Sequence, residues 1–72
     1  MSVLKPYAVV ALVEDLLEHF LQRGQVGAVV DELGPETYEV EFSDCNGRAY
    51  AILALHSSQL MELHYEQTVK AA

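Results

Sequence analysis

The chain has a single cysteine, Cys45, among its 72 residues. No internal disulfide can brace it. Basic residues are also scarce: four, against eleven acids, for a net charge of −7. Lys5, Arg23, Arg48 and Lys70 are scattered, whereas phosphate binding calls for clustered Lys and Arg. Nucleic acid is disfavoured as a direct ligand, and so is an anionic membrane surface. Long hydrophobic runs are missing too. The apolar run from Tyr7 to Val13 is broken by Glu14 and Asp15, far short of the roughly 20 residues a spanning helix needs. Nor is there the basic start and small-residue cleavage site of a signal peptide. A lone cysteine in that setting suits a reducing cytoplasm, so a cytoplasmic location is expected.

What the chain does have is apolar content, 51% of its residues. A domain this short buries only about 60% of the surface its unfolded form exposes. A thin core suits a compact β-barrel, or a dimer that extends the core across an interface. The acidic surface favours solubility and steers toward basic partners.

Tyr7 to Leu12 reads as a buried first strand. A helix competes there, because Val9, Leu12, Val13, Leu16, Leu17, Phe20 and Leu21 recur at helical spacing. Gly24 would be its C-cap. Gln25 to Leu33 reads as a strand, with Val26, Ala28 and Val30 on one face and Val29, Asp31 and Leu33 on the other. Gly27 inside it suggests a bulge or bend. Gly34-Pro35-Glu36 is a turn. Tyr38, Val40 and Phe42 then alternate with Glu39 and Glu41, the cleanest two-sided strand of the chain. Asp44-Cys45-Asn46-Gly47 is the next turn. Arg48 to Leu55 is a strand apolar on both faces, with Tyr38 and Tyr50 expected to face the core. His56 to Gln59 is a one-turn break, and Leu60 to Leu63 a short closing strand. Five short strands read as a strongly bent, all-β barrel that closes on itself. One domain spans residues 1–72, with its core at 7–63 and a frayed or helical tail at 64–72.

Several segments together resemble a known family. They are Val10-Ala11-Leu12-Val13-Glu14-Asp15-Leu16, Arg23-Gly24-Gln25-Val26-Gly27-Ala28-Val29-Val30, Tyr38-Glu39-Val40-Glu41-Phe42, Asp44-Cys45-Asn46-Gly47-Arg48-Ala49-Tyr50-Ala51 and Gln59-Leu60. The family is the group of small bacterial proteins described as the domain of unknown function DUF4926. The resemblance covers roughly residues 8 to 63 and implies a five-stranded SH3-like barrel. It implies no established activity, so no catalytic residues carry over. Such proteins tend to have Leu-Pro-Glu after the first strand, where this chain has Leu16-Leu17-Glu18. The resemblance favours a strand at 7–12, followed by a loop or short helix at 14–22. There Leu16, Leu17, Phe20 and Leu21 either cap the barrel or form an exposed patch that implies a partner.

Candidate chemistry is sparse. Glu39 and Glu41 point the same way, as paired acid-base carboxylates would, but such pairs are ordinary on a solvated strand face. His19, His56 and His64 lack the paired spacing of metal ligands. Cys45 has no evident base, only the acid Asp44 beside it. Ser57-Ser58 has no nucleophile-elbow pattern. Gly24-Gln25-Val26-Gly27 lacks the lysine and helix of a phosphate loop. Tyr7, Tyr38, Tyr50 and Tyr65 offer only part of a peptide-stacking set.

The expectation is a non-catalytic interaction module, with no cofactor and no metal. Glu32, Glu36, Glu39, Glu41 and Asp44 would form an acidic band docking on a basic protein partner, or the chain would self-associate as a homodimer. One variant of that reading is an antitoxin- or immunity-like neutraliser of a toxin. Another is a KOW-like ribosome- or nucleic-acid-associated module, which the charge disfavours.

Overall fold

A computed structural model describes residues 4–64. The strands are β1 (Val9–Leu12), β2 (Val26–Gly34), β3 (Thr37–Ser43), β4 (Ala49–His56) and β5 (Leu60–Glu62). Two single-turn 3-10 helices, Leu17–His19 and Ser57–Gln59, interrupt them. The strands form one antiparallel sheet in the order β4-β3-β2-β1-β5. The all-β class and the five strands are as expected. The helical alternative for residues 8–23 fails, because β1 pairs on both sides, with β2 and with β5.

The expected closure does not occur. Among the described residues, β4 and β5 are the two ends of the strand order and do not pair. The chain between them does not fold back as a hairpin. It makes a capped turn in which Ser58 N–H donates to His56 Nδ1 (3.0 Å) and His56 N–H donates to Gln59 Oε1 (2.9 Å). β5 is then only three residues long, and its ladder is spent on β1. The first strand also starts later than expected: Pro6 and Tyr7 form a turn, with Tyr7 at φ 67. The tail expected from residue 64 onward lies almost wholly outside the described residues.

The core is Leu4, Val10, Leu12, Leu21, Val29, Tyr38, Val40, Phe42 and Leu55. On β3 it follows the period of two, with Tyr38, Val40 and Phe42 inward, whereas β1, paired on both sides, buries Val10, Ala11 and Leu12 in succession. No charged or polar side chain is buried among the described residues. Gly27 is not a bulge, since its register with both neighbouring strands is regular. A Cβ there would lie 2.9 Å from the Glu41 carbonyl oxygen and 2.9 Å from the Phe42 ring. The missing side chain is what lets Phe42 lie across β2. The Pro35-Glu36 turn holds Glu36 at φ 55, and Gly47 takes φ 80 in the next turn, where a Cβ is disfavoured.

Candidate interaction surface

The two bulges in β2 decide what the outer face of the sheet carries. Ala28 faces Glu41 and Val29 faces Val40, but Asp31, not Val30, faces Glu39. Val30 is the extra residue, and the strand's parity changes after it. Strict alternation puts Asp31 on the face of Val29, which is the buried one; the bulge turns Asp31 to the outer face instead. Residues directly opposite on antiparallel strands share a face, so Asp31, Glu39 and Glu41 form one acidic row. Glu39 and Glu41 are half-buried and Asp31 is exposed. The next strand places Ala54 beside Glu39 and Ile52 beside Glu41.

β4 has a comparable irregularity. Phe42 pairs with Ala51 and Ser43 with Ala49, so Tyr50 is passed over. Tyr50 was expected in the core; it is 50% exposed, and its hydroxyl accepts from Gln25 Nε2 at 3.0 Å. Ile52 is 53% exposed. Tyr38 does face the core, with its hydroxyl accepting from Leu4 N–H at 3.3 Å. The outer face therefore combines the acidic row with Tyr50, Ile52 and Val26.

The other expected acids have separate places. Asp44 Oδ1 accepts from Asn46 N–H (2.9 Å) and Arg48 N–H (3.0 Å), which holds the β3–β4 turn. Glu36 Oε1 accepts from Ser57 Oγ (3.0 Å), and its carbonyl accepts from Ser57 N–H (2.8 Å), tying the β2–β3 turn to the second 3-10 turn. Glu32 faces Tyr38 and so lies on the opposite side from the row. The five acids do not form one band.

The apolar set in the 14–22 loop divides in the same way. Leu16 and Leu21 bridge each other through two backbone hydrogen bonds, 2.9 and 3.1 Å. Leu21 joins the core, and Leu16 packs against it. Arg23 N–H donates to Asp15 Oδ1 at 2.8 Å and braces the loop further. Between these anchors the tip displays Leu17, 73% exposed, and Phe20, 92% exposed. Phe20 caps the 3-10 turn in the left-handed region, at φ 59 and ψ 35. Leu16 and Leu21 thus hold the loop down, while Leu17 and Phe20 face solvent. A polar cleft separates the loop from the end of β4, with Glu14, Asp15 and Glu18 on one wall and Ala54 and Leu55 on the other.

A cavity of about 300 Å³ brings Glu36, His56, Ser57, Ser58 and Glu62 together with Leu4 and Leu60. Its polar contacts are those of the capped turn. His56 Nδ1 already accepts from Ser58 N–H, and Glu36 engages Ser57, so the ring is held by its own turn. Cys45 is exposed in its turn. Among the described residues no group of three or more His, Cys, Asp or Glu is placed to hold a metal ion. No helix among them is long and apolar enough to cross a membrane.

Residues 7–62 match the family model described as a domain of unknown function, DUF4926. No curated protein and no solved structure matches the chain.

Proposed function

The chain belongs to the DUF4926 family, and on that footing we propose that it is a non-catalytic protein-binding module whose outer sheet face docks on a basic protein partner. The observation that carries this reading is the outward row of Asp31, Glu39 and Glu41 beside half-exposed Tyr50 and Ile52. An apolar strip gives a partner surface to bury, with aromatic residues favoured as anchors. Carboxylates next to it select a partner carrying Lys or Arg and speed its approach. The net charge of −7 adds long-range attraction of the same sign preference.

A basic toxin masked by such a face is one form this partnership takes, by analogy with acidic neutralisers. The test is capture from the native cell with the full chain as bait. Wild type and the double variant Glu39→Lys plus Glu41→Lys are compared at low salt and at about 0.5 M salt, where screening lengths fall to a few ångströms. The expected result is retention of a basic protein by wild type at low salt. The double variant loses it, and so does high salt. Retention indifferent to both changes overturns the reading.

A further inference from the structure

We propose that the free edge of β4 pairs antiparallel with the same edge of a second copy, making one continuous sheet about a two-fold axis at Ile52. This interface lies along a strand edge rather than on the outer face, and it does not rest on the basic-partner reading above.

Among the described residues, the strand order leaves two outer edges. β5 offers three residues ending in Glu62. β4 offers eight, Ala-Tyr-Ala-Ile-Leu-Ala-Leu-His, with no proline, lysine or carboxylate among them. Natural edge strands are normally blunted by charge, proline, brevity or a bulge. The bulge of β4 sits at its first residues, and from Ala51 to His56 its register with β3 is regular.

The backbone is phased for pairing. Ser57 N–H donates to the Glu36 carbonyl. Alternation of the ladder from that bond makes Tyr38/Leu55, Val40/Leu53 and Phe42/Ala51 the hydrogen-bonded pairs. The N–H and C=O groups of Ile52 and Ala54 therefore point away from β3, toward the open edge.

The side chains are self-complementary about the same residue. Antiparallel neighbours must share a face. An axis at Ile52 sets Ile52 against itself, Tyr50 against Ala54 and Ala51 against Leu53, so that large residues meet small ones. Charge opposes a second copy overall, because two chains of like net charge repel, but it opposes one least along this edge. Two chains of net charge −7 approach most easily along an uncharged strand. The two Glu41 side chains would then stand three strand spacings apart, about 14 Å, beyond the roughly 8 Å screening length of physiological salt.

One strand pair buries less than the about 1,200 Å² of a stable complex. The dimer is therefore weak, dissociating in the ~10 μM to ~1 mM range. Sedimentation equilibrium of the full chain up to about 1 mM is expected to show a monomer–dimer equilibrium. Ile52→Lys, which brings two like charges together on the axis, is expected to weaken it at least about ten-fold. Met61→Lys on the opposite edge strand leaves it unchanged. Amide exchange on the wild-type chain keeps the test decisive if Ile52→Lys misfolds: protection at Ile52 and Ala54 is expected to rise with concentration. A monomer at every concentration overturns the proposal. So does a dimer indifferent to Ile52→Lys, or one without added protection at those two amides.

Discussion

β3 and β4 lie side by side in register, yet they place their outward residues by different rules. β3 is interior, paired on both sides, and alternates strictly: Tyr38, Val40 and Phe42 inward, Glu39 and Glu41 outward. β4 is an edge. Its inward residues, Ala51, Leu53 and Leu55, do what those of β3 do, but its outward ones are Tyr50, Ile52 and Ala54, all exposed. Folding accounts for every apolar residue of β3. It leaves the outer half of β4 unexplained, since a polar residue at Ile52 would cost the monomer little. The difference separates apolar surface that makes the fold from apolar surface that is surplus to it.

Truncating one residue on each strand breaks the comparison most sharply. Phe42 is fully buried and Ile52 is 53% exposed. Phe42→Ala is expected to cost about 3–5 kcal/mol, enough to unfold most of a domain this small. Ile52→Ala, measured in dilute solution, is expected to cost under about 1 kcal/mol. Urea denaturation of both variants checks the contrast, and equal losses would show that β4's outer residues serve the core after all. Gly27→Ala comes next in size. The added methyl meets the Glu41 carbonyl and the Phe42 ring at 2.9 Å. Overpacking of this kind costs about 1–3 kcal/mol, read as a lowered thermal midpoint. No such loss would mean that Phe42 has room to shift.

The legible parts of the sequence were those where one signal sufficed. The alternation of β3, the Gly34-Pro35-Glu36 turn and the break at His56–Gln59 all stand where they were expected. The illegible parts turn on single-residue insertions. Strict alternation along β2 puts Asp31 beside Val29 in the core, where an unpaired carboxylate is costly. The bulge at Val30 avoids that cost and supplies the third member of the acidic row. A carboxylate falling on the core parity was the available clue, but the bulge was assigned to Gly27 instead. Tyr50 escaped for a related reason, since a strand apolar on both faces carries no parity to read. The roles of Glu36 and Asp44 were hidden because their partners, Ser57 and two backbone amides, are set by turn geometry rather than by residue type. Closure of the sheet was expected from strand number, but it depends on the length of β5.

The smallest expected effect comes from the loop, and it extends the contrast between needed and surplus surface. Phe20 is 92% exposed and sits at φ 59. A bulky residue is disfavoured in that conformation, which glycine and asparagine accept more readily. Almost no burial offsets this, because the ring touches little of the fold. The anchors of the loop, the Leu16–Leu21 bridge and Asp15 on the Arg23 amide, do not involve the ring. Phe20→Asn is therefore expected to raise stability, by about 0.5–1 kcal/mol, in urea titrations with an unchanged slope. A loss of stability would mean that the ring packs on the loop and belongs with Phe42, on the folding side of the comparison. A gain would place Phe20 with Ile52, among the apolar surface that the fold does not need.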